Sequence, residues 1–421
     1  MAEPTTRTNK PFNRWIIVII AMLVQFALGI LYSYPFLLRP VMVYIDSTVP
    51  TTDPNLIMQG LLPYGIAVLF FAIFMVPAGR WQDKAGPKVV ALTGSIVLLA
   101  GHILAGIVTT FPSNNSPVGM ILTWGMIGGA GIGLVYVCPI ACATKWFPDK
   151  VGLINGLAVA GFGAGSIVFN FIYNFVSPLS LSILIAGCIV GGLALAGAFV
   201  LRNPPAGYKP AGWEPPAPKA SAPVVENWTT KEMIHTKTFP LLWVMFFCSA
   251  ICGLMVIGNF KNYGITIDPI LGTMAVYLGI LLGAANASGR IVWGKLSDKI
   301  GGIKTMRIMF CIQGVAMLLF SFNNIVMWYI FACVIYFCFG GNLALFPATT
   351  RKFYGPKNMG LNYGIVFSAY GVAGVSGALL ASPMIWLLQG NYMGFFILFG
   401  CMSFISFIVS FRTNPPERKT A

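Results

Sequence analysis

Arg290 lies in a run from Asp268 to Gly294 that reads PILGTMAVYLGILLGAANASG, then Arg290, then IVWG, with no other charge between its ends. A charged side chain at the centre of a bilayer costs about 3 kcal/mol on insertion scales and persists mainly where it faces a cavity or a partner. All eleven acidic residues fall in loops, tails or span ends, so no intramembrane carboxylate is available to pair with it. The expected partner is an anion from outside the chain. A planar guanidinium takes a carboxylate in bidentate geometry, which makes a carboxylate the natural ligand. Asn286, four residues earlier, shares the helical face of Arg290. Its amide is placed to donate to the anion or to orient the guanidinium, and helix–helix hydrogen bonding explains it as well. Arg290 precedes Asp298 by eight residues, about 12 Å of helix at 1.5 Å per residue, which puts it near the bilayer midplane. The structural alternative is a guanidinium that caps helix carbonyls inside a bundle.

The elements that must hold these residues follow from composition. Hydrophobic residues make up 57% of the 421 and charged residues 9%, with a mean hydropathy of +0.80. This is a polytopic, all-α membrane protein, since no soluble domain needs so much apolar surface. Twelve apolar runs are long enough to cross the hydrocarbon as helices: 15–38, 56–78, 88–110, 117–143, 152–176, 179–201, 239–261, 269–295, 303–322, 325–349, 359–388 and 391–411. They group as a six-helix bundle over 15–201 and a second over 239–411. A cytoplasmic tail (1–14), a linker (202–238) and a second tail (412–421) complete the chain. The linker holds seven prolines between Pro204 and Pro223 and too little apolar material for a core.

The net charge of +15 does not mean nucleic acid, because the basic residues fall in alternate loops as the positive-inside rule requires. One set of loops carries Arg7, Lys10 and Arg14, then Arg80, Lys84 and Lys88, and so on to Lys419, whereas the opposite loops carry only Arg39 and Lys261. Both termini are therefore expected on the cytoplasmic side, in the plasma (bacterial inner) membrane. Cys138/Cys142 and Cys248/Cys252 have helical i,i+4 spacing but no His or acidic companion, so they read as helix packing and no metal is expected. Nor does any acid/base pair or nucleophile constellation lie at membrane depth, which argues against an enzyme.

A repeat supports the division into halves. Gly79, Asp83, Lys84 and Gly86 in GRWQDKAG recur 215 residues later, Gly294, Asp298 and Lys299 lying in GKLSDKIG. Each copy follows the second helix of its half. The pattern resembles the major facilitator superfamily, whose fold is two six-helix bundles that rock about a central site by alternating access. Asp83 and Asp298 are then expected to hold one gated state through helix-end and Arg/Lys contacts.

A narrower set looks like the oxalate/formate antiporter family, which borders the monocarboxylate transporters. It comprises Tyr32-Ser-Tyr34, Gly131-Ile-Gly-Leu-Val-Tyr136, Lys145-Trp-Phe-Pro-Asp149, Arg290, Gly340-Gly341 with Leu345-Phe-Pro347, and Asn362-Tyr363-Gly364. The resemblance implies two cations that clamp a dicarboxylate, one matching Arg290 and the other a Lys in the eleventh helix. Tyr370 stands at that second position. Leu31, Phe162, Phe339, Leu343 and Phe367 stand where the family carries more polar or larger residues, while Tyr32, Tyr136 and Tyr370 can donate hydroxyls. One cation and a plainer wall suit one carboxylate with a short tail, because a second would be desolvated without a partner. The expectation is a monomeric secondary transporter that moves a small monocarboxylate, L-lactate first and pyruvate, formate, glycolate or acetate behind. No cofactor is needed beyond a proton as coupling ion. Proton symport is preferred because one anion moving alone is opposed by about 2.3 kcal/mol per 100 mV. Carboxylate exchange of the oxalate:formate type is the alternative.

Overall fold

The computed structural model describes residues 13–205, 207–210, 212, 227–322, 324–388 and 392–417. Expectations about Arg7, Lys10, Lys419 and the prolines from Pro215 to Pro223 fall outside these residues. Every regular element among the described residues is helical. Twelve long helical passages are present: α1 (Trp15–Ile45), α2 (Pro54–Ala85), α3 (Pro87–Val108), α4 (Val118–Trp146), α5 (Val151–Ala164, continued by Ser166–Phe175), α6 (Leu179–Val200), α7 (Thr238–Ile267), α8 (Pro269–Ile300), α9 (Gly302–Phe320), α10 (Ile325–Tyr354), α11 (Met359–Leu387) and α12 (Tyr392–Val409). They form two bundles of six. Several outrun their apolar runs: α1 reaches Ile45 rather than 38 and α10 reaches Tyr354 rather than 349. Helical hydrogen bonding continues through Arg39 and Pro40 to the buried Val41, Met42 and Ile45 in α1, and through Arg351 and Lys352 to Tyr354 in α10.

Two helices depart from regular geometry next to the centre. α1 tightens into a 3₁₀ stretch over Gly29–Ser33, which turns Leu31 and Tyr32 inward. α4 opens with a π-helical segment, Ile121–Gly128. Where α2 and α8 end, Gly86 and Gly301 adopt φ of 81° and 92°. Those left-handed angles explain why the repeated motif closes on glycine.

Close helix pairs join the bundles. Gly65 of α2 packs against Gly374 of α11, and Gly79 faces Gly360 at the other end of the same pair. On the other side of the molecule, Gly163 of α5 packs against Asn286 and Ala287 of α8. The described ends of the linker are held against the bundles. Its final part holds a short helical turn, Thr230–Ile234, closed by a reciprocal Thr229–Glu232 cap, and Trp228 is buried. Trp228 N–H donates to the Tyr354 carbonyl at 3.0 Å, while Asn358 and Asn362 donate to the Trp228 carbonyl at 2.9 and 3.1 Å. At the linker's other end, Trp146 Nε1 donates to the Arg202 carbonyl at 2.8 Å and the Trp146 ring meets Tyr208 edge-on.

Candidate functional site

Arg290 is fully buried, and among the described residues it is the only buried Lys, Arg, Asp or Glu. Its Nε donates to Asn286 Oδ1 at 3.0 Å. Its Nη1 crosses to the other bundle and donates to the Val159 carbonyl of α5 at 2.6 Å. Nη2 is buried with no hydrogen-bond partner. Both readings of this arginine are thus present in one side chain. Part of the guanidinium caps a carbonyl, and the remainder is an unsatisfied, positively charged donor, which is costly in a low-dielectric interior. Asn286 orients Arg290; its Oδ1 accepts and cannot titrate.

Around the guanidinium stands a packed aromatic cluster built from both halves. Phe162 lies under the Arg290 guanidinium, 5.3 Å from carbon to ring centroid. Tyr32 meets Phe162 at 5.0 Å and Phe339 at 5.7 Å. Tyr136 meets Phe162 at 5.5 Å and Phe367 at 6.3 Å. Phe367 stacks on Tyr370 at 4.8 Å. The Tyr32 and Tyr370 hydroxyls hydrogen-bond each other at 2.9 Å, linking α1 to α11 across the cluster. The structure therefore gathers Arg290, Asn286, Tyr32, Tyr136, Phe162, Phe339, Phe367 and Tyr370. Leu31 is buried in the same tightened turn as Tyr32. Leu343 lies on the wall of the cavity described next.

That cavity, of about 690 Å³, opens between the bundles on the face that carries the repeated motif. Asp83, Asp298, Arg351 and Lys357 stand toward its mouth, and Met75, Tyr136, Val159, Leu343 and Tyr363 lie deepest along their helices. It thus ends against the layer that holds Arg290. Asp83 and Asp298 line the wall, exposed, and make no ion pair in this state; the ion pair among the described residues is Arg14–Asp149. Lys84 and Lys299 are exposed beside them. Gly294 lies near Ala344 of α10, as Gly79 lies near Gly360.

Three site residues escape a reading of the sequence. Phe71 of α2 packs on Tyr136 at 4.9 Å and Phe367 at 5.0 Å. Phe246 of α7 meets Phe367 at 5.8 Å. Tyr363 lines the cavity with a buried hydroxyl that has no partner. Phe71 was reachable from helical spacing, since Tyr64, Val68, Phe71, Met75 and Gln82 share one face that leads to Asp83. His102 stands away from this group, its Nδ1 against the Leu98 carbonyl at 3.0 Å and its ring 6.1 Å from Trp124. The Lys145–Asp149 stretch proves to be an anchor rather than a pocket wall. Asp149 pairs with Arg14 at 2.7 Å, Phe147 lies under the Arg14 guanidinium at 4.1 Å, and Trp146 holds the linker.

A central buried cation between two six-helix bundles, with a cavity leading toward it from the motif face, is the arrangement of a secondary transporter. The chain matches the Major Facilitator Superfamily over residues 14–307 and 263–421 and belongs to that family. It is a multi-pass membrane transporter and not an enzyme. Among its relatives, it is 27% identical over 405 residues to the oxalate:formate antiporter of Oxalobacter formigenes, covering 94% of this chain and 91% of that one. It is 29% identical over 379 residues to the uncharacterized MFS-type transporter YhjX of Escherichia coli, covering 88% of each. It is 27% identical over 359 residues to apicoplast pyruvate carrier 1 of Toxoplasma gondii, covering 69% of this chain and 63% of that protein. The fold matches the crystal structure of the human organic anion transporter MFSD10 with a TM-score of 0.67 at 12% identity, over 95% of this chain and all of the other.

Proposed function

We propose that this transporter carries a small monocarboxylate, L-lactate first and pyruvate, formate, glycolate or acetate with it, by alternating access and with proton symport. The observation that carries the reading is the buried, unpartnered Nη2 of Arg290 in a packed aromatic cluster. One carboxylate completes that guanidinium, and a short apolar tail fits the rings. Tyr370 hydrogen-bonds to Tyr32, so no second cation waits for a second carboxylate, and a dicarboxylate would enter with one charge desolvated and unpaired. The names of two relatives also carry small carboxylates: formate and the dicarboxylate oxalate in one, and the monocarboxylate pyruvate in the other. No titratable carboxylate stands beside Arg290, so the proton travels with the substrate. The basic loops orient the motif face, and both termini, toward the cytoplasm of a plasma membrane, and the unit is a monomer.

Exchange is the second reading, favoured by the antiporter whose sequence covers 94% of this chain. Uptake of labelled L-lactate into empty proteoliposomes under an inward proton gradient separates the two. Wild type accumulates lactate and Arg290→Gln does not. Uptake that appears only after the vesicles are preloaded with another carboxylate makes the protein an exchanger. Undiminished uptake by Arg290→Gln overturns the site.

A further inference from the structure

The face opposite the motifs holds a second pocket, of about 260 Å³, on the seam between the bundles. Arg39, Thr51 and Thr52 of the first half face Asn262, Thr266 and Tyr392 of the second across it. Arg39 gives one guanidinium nitrogen to Thr51 Oγ1 at 3.0 Å. Asn262 Nδ2 is buried and has no hydrogen-bond partner. Next to it, Lys261 crosses the seam to Asn174 Oδ1 at 3.0 Å and lies 5.0 Å over the Phe36 ring. Arg39 and Lys261 are the two cations that the sequence places on this face.

The acidic residues of this face do not neutralise that pair. Asp46 accepts from the Thr48 N–H at 2.8 Å, Asp53 from the Leu56 N–H at 2.9 Å and Asp268 from the Ile270 N–H at 2.9 Å, each closing its own turn or helix end. The pocket wall offers two donors, the exposed Arg39 guanidinium and the unpartnered Asn262 amide, and an anion in the pocket accepts from both.

We propose that this pocket is a second binding site, for a small carboxylate, on the face that the proposed orientation makes external. The orientation decides only which side loads it. Because its walls come from both halves, the site is complete only while the seam on this face is shut. An occupant therefore favours the shut state and shifts the population toward it. External carboxylate at high concentration then slows its own uptake.

The test uses purified full-length protein, titrated calorimetrically with L-lactate in the Arg290→Gln background, where the seam pocket remains. Weak saturable binding is expected to persist there and to fall about tenfold, a loss of about 1.4 kcal/mol, on adding either Arg39→Gln or Asn262→Leu. Absence of binding, or binding that neither substitution changes, overturns the site. Chloride or phosphate that binds as well as lactate overturns the carboxylate assignment. In proteoliposomes, the wild-type rate is expected to pass through a maximum as external lactate rises, and Arg39→Gln to remove the decline; a wild-type plateau overturns the inhibitory role. Lactate binding and uptake left intact by Arg290→Gln, yet sensitive to Arg39→Gln, would sink the central site and leave this one standing.

Discussion

At the scale of the residue, substrate selection rests on how many positive charges the cluster offers and how firmly the one present is held. Tyr370→Lys adds a cation where the Tyr32 hydroxyl now finds its partner. Lactate uptake is expected to drop and unlabelled oxalate to become a competitor; oxalate that competes no better than with wild type would dismiss Tyr370 as a selectivity determinant. Arg290 is aimed by Asn286, and a Cβ on Gly163 would sit 2.7 Å from Asn286 Oδ1 and 3.0 Å from the Ala287 nitrogen. Gly163→Ala should weaken lactate binding by on the order of tenfold, the equivalent of about 1.4 kcal/mol. Gly192→Ala, with nothing within 4 Å, is the silent control, and equal affinities for the two variants would refute the positioning role. Arg290 is legible in the sequence because one charge in an apolar run has few ways to survive. Phe246 is not, since an aromatic ring has the same sequence signature facing lipid as facing the site, whereas Phe71 could be reached only through the helical face it shares with Met75 and Gln82.

At the scale of the element, helix ends carry the polar work that helix interiors cannot. Arg14 beside Asp149 holds that carboxyl below its ordinary value of 3.8 and raises its own. A depressed carboxyl stabilises the fold above its unfolded pKa, and that contribution vanishes as pH falls through the folded value. Asp149→Asn should therefore lower stability by about 0.5 kcal/mol at neutral pH, as for other partly exposed pairs. The difference from wild type should close as pH falls below the ordinary carboxyl value of 3.8 and through the lower folded one. Thermal unfolding of both proteins across pH checks it, and a difference that survives at acid pH would assign the effect to packing. The apolar runs gave the right number and order of helices. They missed the extra turns, because Arg39 and Pro40 in α1 and Arg351 and Lys352 in α10 interrupt the apolar run while the helix continues. They also missed Trp228, because a lone aromatic in a proline-rich stretch carries no period from which burial can be read.

At the scale of the whole molecule, the 215-residue repeat exposes the two halves. Sequence does not say which face is open, because both states use the same helices. The structure opens on the motif face and is bridged above Arg290 by the Tyr32 and Tyr370 hydroxyls. The bundles meet along helix pairs and not through the linker, and each linker end is pinned within its own half: Arg202 and Tyr208 on Trp146, Trp228 on Asn358 and Asn362. Every contact named at these two anchors is made by residues outside 213–226. Two separate genes, divided within 213–226 and expressed together, should therefore yield a pair of polypeptides that assemble in the membrane and copurify with lactate uptake intact. Such an outcome would mark this transporter as a heterodimer in a single reading frame.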